Sequence, residues 1–198
     1  MRSTVFSVIL MTSSFLAGRF VAQDFEPSCF MCPATYVAAE EINEYEEVSK
    51  ATGITDQQIR SLDIGKTNLQ IAVVHRGALQ EPRPRSVAEH DLVSETYYVL
   101  SGGGTVFTGP DLVGKVRRPE DYRAVRLLNG PGHNALDIRN GVTHELVQGD
   151  VFVIPAGTGH QFTKIDDHIT YLMVRVDPDK VVPLLDREGS RAYLDQAR

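Results

Sequence analysis

Two separated segments of the sequence carry residue types that bind transition metals. The first segment contains His90 and Glu95, and the second contains His160. Two imidazoles and one carboxylate form the facial set that holds non-haem Fe(II), and the same set also suits Mn, Ni or Zn. The sequence therefore predicts a site for one divalent metal ion (Fe, Mn, Ni or Zn) formed by these three side chains.

The local sequence indicates how the first two ligands meet. His90 and Glu95 flank a short polar turn, so strands on either side of the turn would bring the two side chains together. Because side chains alternate along a strand, Glu95 and Tyr97 share one face. Tyr97 is therefore a candidate proton donor or general acid, and filling of the interior is its alternative role.

His160 must come from another strand. Gly149 and Asp150 predict a turn before the β-branched run 151–154, and Pro155 ends that run. Two glycines then allow a tight turn immediately before the histidine. We expect this segment to bring His160 to the site formed by the first segment.

The two segments resemble the two sequence motifs of the cupin superfamily. In the first motif, H-x-H-x(3,4)-E-x(6)-G, the second His, the Glu and the Gly are matched by His90, Glu95 and Gly102. The sequence departs from the family at Ala88, where the first His is expected, and at Lys164, where the second motif ends in Asn. The second motif, G-x(5)-P-x-G-x(2)-H-x(3)-N, is otherwise matched by Gly149, Pro155, Gly157 and His160.

The resemblance covers roughly residues 65–176 and implies an all-β fold, the double-stranded β-helix (jelly-roll) cupin barrel. The family includes dioxygenases, isomerases, lyases, sugar-binding modules and storage proteins, so the fold does not choose the reaction. The leading hypothesis is a metalloprotein that binds a divalent metal and a small oxygen-rich molecule, as a metal-dependent oxygenase, isomerase or lyase. The alternatives are a non-catalytic ligand-binding module with a vestigial metal site, and a structural protein whose barrel is packed solid.

Two further histidines are candidates to replace the ligand missing at Ala88, a position otherwise left to solvent. His75 and His144 each share a strand face with apolar residues. Such a histidine is more often a core side chain with one hydrogen bond, but the apolar face of a small barrel is its interior face. Either residue is thus a candidate fourth ligand, orienting group or base. Arg175, within an apolar run, is expected to pair with a buried carboxylate or to mark a strand end.

The remaining pattern supports a β-rich domain preceded by a helix. Residues 33–50 show helical periodicity, residues 55–58 have capping-box form and predict a short helical turn, and strand character begins near residue 60. Residues 109–121 are polar and predict a loop or hairpin extension. Many short strands broken by Gly and Pro indicate a sandwich or barrel. The strands are expected at about 69–75, 95–100, 104–108, 122–128, 134–138, 142–147, 151–154, 160–164 and 168–176.

The N-terminus has the features of an export signal. Arg2 provides a positive charge and is followed by a largely apolar stretch over residues 5–18, which is too short to span a membrane. Ala22 is a suitable last residue before a signal-peptidase cleavage site. A membrane anchor or a buried N-terminal helix is the alternative. The expected organisation is a signal peptide at 1–22, an extension with a C-x-x-C motif and a helix at 23–59, the cupin barrel at 60–178 and a C-terminal tail at 179–198. The mature protein is then secreted or periplasmic, and cytoplasmic if the segment is no signal.

Cysteine content and charge restrict the partners. Cys29 and Cys32 are the only cysteines, and in an exported chain an even count favours a disulfide over an inert thiol pair or a redox or metal site. The net charge of −6 argues against nucleic acid, and the arginine clusters 83–85 and 117–118 are expected on solvated loops. We expect a small-molecule ligand, no nucleic acid and no stable membrane span after signal removal. The resemblance also leaves a homodimer open.

Overall fold

Antiparallel strands dominate the structure, a computed structural model that describes residues 26–197. The expected signal peptide at 1–22 lies outside the described residues. No helix within residues 26–197 has the length and apolar character needed to cross a membrane. In chain order the elements are α1 (Ala39–Thr52), β1 (Asp56–Asp63), β2 (Asn68–Leu79), β3 (Val87–His90), β4 (Ser94–Gly109), β5 (Asp111–Val113), β6 (Val116–Arg117), a π-helical turn (Val125–Asn129), β7 (Gly132–Ala135), β8 (Asp137–Arg139), β9 (Val142–Val147), β10 (Val151–Ile154), β11 (Gly159–Asp177) and α2 (Arg187–Ala197).

Two long strands, β4 and β11, close the barrel. Near its start β11 pairs with the second half of β4 and with β3, and further along it pairs with β2 and the first half of β4. β4 also pairs with β9 and β10, while β3 continues through β7 to β6. Irregularities in the β11 register bend the strand, so that it takes part in both faces. This arrangement confirms the predicted all-β jelly-roll barrel.

The barrel interior is filled by alternate side chains of these strands. Ala72 and Val74 of β2 point inward, while Val73 between them packs outward against α1. The outer cluster joins both helices to the barrel through Tyr45, Val48, Ile59, Val73 and Leu194. The inner cluster consists of Ala72, Val74, Tyr97, Val99, Val106, Leu146, Ile154, Phe162, Ile165, Ile169, Tyr171 and Met173.

Two local predictions were wrong. Residues 55–58 do not form a helical turn, because β1 begins at Asp56 and pairs with β2, burying polar side chains that a solvated turn would expose. Residues 122–128 are not a strand, and the π-helical turn occupies this segment. The polar segment 109–121, predicted as a loop or hairpin extension, contains two short strands, β5 and β6, which pair with β8 and β7.

The predicted strand pair 95–100 and 104–108 is one continuous strand, β4. Gly102 interrupts its regular conformation with a φ of 69°. A Cβ atom at this position would collide with the carbonyl oxygen of His168 on the neighbouring strand, so both the conformation and the close approach require glycine. This motif glycine therefore serves the barrel backbone and not the chemistry.

Cys29 and Cys32 form a disulfide with a Cα–Cα distance of 5.7 Å, which confirms the disulfide hypothesis for the C-x-x-C motif. The backbone at Ser28 and Cys29 lies against Gly65, where a Cβ atom would collide with the carbonyl of Ser28. The short disulfide loop thus packs against the turn between β1 and β2.

Candidate metal centre

The structure brings His90, Glu95 and His160 together inside the barrel. One potential ligand atom from each residue lies within 4.8 Å of those of the other two. His90 Nε2 is 3.3 Å from Glu95 Oε1, and His160 Nε2 is 3.5 Å from Glu95 Oε2. The Glu95 side chain is 2% exposed, so the group is shielded from bulk water.

Strand ends position the three side chains. His90 is the last residue of β3, Glu95 is the second of β4 and His160 is the second of β11. The two motif loops are joined directly, because Gly157 N–H donates a 2.7 Å hydrogen bond to the carbonyl oxygen of His90. His160 is paired across the strands with Ala88, so the position that lacks the expected histidine faces the remaining one.

His160 presents a lone pair to the carboxylate of Glu95. Its Nδ1 lies 3.2 Å from the carbonyl oxygen of Thr158, which only accepts, so Nδ1 carries the ring proton. Burial lowers the pKa of His160 to about 4, which keeps the ring neutral at pH 7 and leaves Nε2 unprotonated. Nε2 and Glu95 Oε2 are then two electron-pair donors facing each other, an arrangement that a cation between them would satisfy.

Glu95 is an ionised carboxylate with three further donors. Asn129 Nδ2 donates to its Oε1 at 2.7 Å, Arg175 Nε donates to Oε1 at 3.2 Å, and Tyr97 OH donates to Oε2 at 2.9 Å. Burial alone would raise the pKa of Glu95, but the charge and hydrogen bond of His90, together with Arg175, hold it well below its usual range.

His90 is less well prepared to bind a metal. Arg118 Nη1 lies 3.2 Å from His90 Nδ1, and a guanidinium only donates, so Nδ1 holds a lone pair. In the neutral ring the proton is then on Nε2, which faces Glu95 Oε1. The donor set therefore fits a divalent ion, provided that His90 gives up the Nε2 proton when the ion binds.

Two of these neighbours were not predicted from the sequence. Asn129 ends the π-helical turn, where a strand was expected, and no motif pointed to it. Arg118 was expected on a solvated loop, but it is 7% exposed because Asn134 Oδ1 and the carbonyl of His133 also accept its hydrogen bonds. The proposed pairing of Arg175 with a buried carboxylate is confirmed by its bond to Glu95.

The other candidate histidines are not part of this group. His75 lies on the outer face of β2, where its Nδ1 is 2.8 Å from Thr170 Oγ1 and 3.9 Å from Glu46 of α1. His144 does face the barrel interior, but it bonds to Thr108 Oγ1 at 3.1 Å and packs on Phe152. Neither belongs to the candidate ligand group, so a role as fourth ligand is not supported, whereas His75 lines the cavity beside the group and its role as a base stays a prediction.

A cavity of about 610 Å³ adjoins the candidate metal centre. Its wall includes His160, Tyr97 and Ala88, so it reaches the centre from the side where the expected histidine is missing. Burial and the negative charge of Glu95 raise the pKa of Tyr97 well above its usual range, which keeps its hydroxyl protonated. The candidate ligands thus border an open space that extends from Tyr97 and His160 to the end of α1.

Comparisons with known proteins agree with this fold. The family model of the AraC-like ligand-binding domain matches residues 136–197, which include the second motif. No curated protein sequence matches the chain significantly.

Solved structures give loose likenesses. A Bacillus halodurans protein is 18% identical over 74% of this chain and 83% of its own, with a TM-score of 0.39. A Bacteroides fragilis cupin protein is 19% identical over 55% and 65%, with a TM-score of 0.32. The Schizosaccharomyces pombe Cnp3 cupin domain is 11% identical over 62% and 64%, with a TM-score of 0.37. The last two alignments span less than two thirds of the matched chains. TM-scores this low do not indicate which metal or substrate the protein binds.

The two motif segments meet at one end of a jelly-roll barrel, and a ligand-binding family model related to the cupins covers the second of them. These observations agree with the resemblance of the two segments to the cupin motifs.

Proposed function

We propose that this protein is a cupin that holds one divalent metal ion with His90, Glu95 and His160 and binds a small oxygen-rich molecule in the adjoining cavity. One observation carries the proposal. The hydrogen bond to Thr158 fixes the proton of His160 on Nδ1, so Nε2 directs its lone pair at a buried carboxylate oxygen 3.5 Å away. Metal-binding histidines commonly donate their other ring N–H to a carbonyl in this way.

The surrounding residues prepare the site for such a ligand. A divalent ion held here would act as a Lewis acid toward a ligand oxygen. Tyr97 keeps its proton and donates a hydrogen bond to Glu95, so the carboxylate is oriented from the cavity side. Tyr171 stacks on Tyr97, and Phe162 stacks on Tyr171, so aromatic rings form one side of the site. The small side chain of Ala88 leaves room for the ligand where the family has an imidazole.

Elemental analysis of purified, metal-reconstituted protein tests the proposal. We expect about one ion per chain in the wild type and a loss of at least ~100-fold in metal affinity in His160→Ala, because a direct ligand is removed. His144→Ala is the matched control, since this histidine also faces the interior but lies outside the group. Stoichiometric metal in His160→Ala, or equal losses in both variants, would show that the ligand set is wrong.

A ligand-binding module without bound metal is a second candidate, and two contacts favour it. Arg175 already neutralises the buried charge of Glu95, and Arg118 holds His90 in the tautomer that does not bind a metal through Nε2. The AraC-like family model also describes a ligand-binding domain. Ligand binding that is equal in metal-free and metal-loaded protein, without turnover in a screen of hydroxy and keto compounds, would select this candidate.

We also propose that the protein functions outside the cytoplasm after removal of residues 1–22. The Cys29–Cys32 disulfide supports this location, because such bonds persist in oxidising compartments. The intact mass of protein from its native host tests both features. A full-length mass with two free thiols would overturn the proposal.

A further inference from the structure

The cavity beside the candidate metal centre has a basic wall in an acidic protein. The chain carries a net charge of −6, yet no Asp or Glu is among the cavity-lining residues within the described part of the chain. Three basic side chains line the cavity instead, those of Lys50, Arg76 and Arg83. Lys50 is already paired with glutamates of α1, whereas among residues 26–197 neither arginine forms an ion pair.

Arg76 is the arginine that faces the barrel interior. It follows Ala72 and Val74 on the inward face of β2, and its guanidinium lies 5.1 Å from the centre of the Phe162 ring. Its Nε donates to Tyr171 OH at 3.2 Å, and Tyr171 stacks on Tyr97 at the metal centre. Among the described residues, the two Nη atoms have no hydrogen-bond partner.

A largely buried cation without a charged partner is costly unless an anion pairs with it. The free side of the Arg76 guanidinium presents two parallel N–H donors, which match the two oxygens of a carboxylate or phosphate. The Arg76 guanidinium also makes a cation–π contact with the face of the Phe162 ring. The cavity is therefore built to pair a negative charge at Arg76 while the rest of the molecule extends toward His160.

We propose that the ligand of this cavity is a small anion whose charged oxygens, from a carboxylate or a phosphate, are bound by Arg76. This inference rests on the proposed function only in that the ligand occupies the same cavity. It narrows the ligand from oxygen-rich molecules in general to organic acids or phosphate compounds, and excludes neutral sugars as the preferred class.

Paired acid and amide probes test the inference. L-lactate and L-malate are compared with lactamide and malamide by NMR titration of metal-free and Zn(II)-loaded protein, and inorganic phosphate is titrated separately. We expect each acid to bind at least ~10-fold more tightly than its amide, because a hydrogen-bonded charge pair is worth about 1.5–3 kcal/mol or roughly 10-fold to 100-fold. Arg76→Gln should remove this difference and leave amide binding unchanged. Tighter phosphate binding with the same dependence on Arg76 would identify a phosphate compound.

Arg85→Gln is the matched control, because Arg85 lines a separate basic cavity beside β6. Thermal melting and metal content of each variant show whether the fold and the metal centre are intact. Equal affinities for acid and amide, no binding of any anion, or a loss in Arg85→Gln but not in Arg76→Gln would overturn the inference. Acid binding that needs Arg76 in a protein that takes up no metal would refute the metal site alone, and metal uptake without acid preference would refute the anion site alone.

Discussion

Arg175 is the residue whose replacement should most directly expose how the candidate centre is held. The side chain is fully buried; its Nε donates to Glu95 at 3.2 Å, its Nη1 donates to Gln58 Oε1 at 2.9 Å, and its Nη2 pairs with Asp56. Arg175→Met keeps an apolar stem but removes every one of these donors. Breaking a buried ion pair from one side costs about 3–5 kcal/mol, because a buried charge is left uncompensated.

The geometry places the expected loss in the lower half of that range. Glu95 keeps three donors, from Tyr97, Asn129 and His90, and the Asp56 side chain is 21% exposed, so water replaces part of what it loses. We therefore expect Arg175→Met to lower the free energy of unfolding by about 3 kcal/mol, a large share of the 5–15 kcal/mol typical of a domain. Urea unfolding of metal-free protein at pH 7 measures the loss.

Two controls decide whether the buried charge is the cause. Arg139→Met removes an exposed arginine, 68% accessible and paired with Asp111, and should cost less than about 0.5 kcal/mol. Adding Glu95→Gln to Arg175→Met should recover part of the loss, because the uncompensated carboxylate is then gone. A loss below about 1 kcal/mol, or a double variant no more stable than the single one, would refute the reasoning.

Three other expectations follow from the same contacts. Arg118→Gln should tighten metal binding by about 10-fold in a chelator competition, because an amide oxygen can accept from Nδ1–H of His90 and free Nε2; unchanged or weaker binding would contradict this. The pKa of His160 is about 4 in the folded protein and about 6.5 in the unfolded chain. Its contribution to the free energy of unfolding is therefore complete above pH 6.5 and falls by about 3 kcal/mol as the pH is lowered toward 4. Urea unfolding at both pH values should show this loss in the metal-free wild type but not in His160→Asn. Ala88→His should shrink the cavity and weaken lactate binding several-fold in the NMR titration, and unchanged binding would place the ligand elsewhere.

The sequence predicted the barrel and the convergence of the three candidate ligands because both depend on local patterns. Strand alternation and the turn glycines determine which face each side chain occupies, and Glu95 and Tyr97 indeed share the inner face. The same parity rule was ambiguous for His75, because both faces of β2 are covered, one by the barrel interior and the other by α1. Periodicity alone does not distinguish two buried faces.

The residues that surround the ligands were missed for a different reason. Arg118 and Asn129 come from irregular segments between strands, where charge and polarity normally indicate exposure. Their burial follows from long-range contacts with His90 and Glu95 that no local pattern contains. Arg175 was easier to anticipate, because a lone charge within an apolar strand needs a partner wherever the strand lies.

Ala88 stands where the first cupin motif has a histidine, and its small side chain affects the space around the candidate ligands. A histidine there would lie directly opposite His160 and would fill the cavity wall that alanine leaves open. Asn129 Nδ2 donates to Glu95 Oε1 at 2.7 Å and lies 3.2 Å from His90 Nε2, so a polar side chain already contacts two of the three candidate ligands. Because an amide can turn to present either its nitrogen or its oxygen, Asn129 would be able to offer an oxygen to an ion held there. Ala88 thus leaves open the space beside His160, while an amide from another segment supplies a polar contact to the candidate ligands.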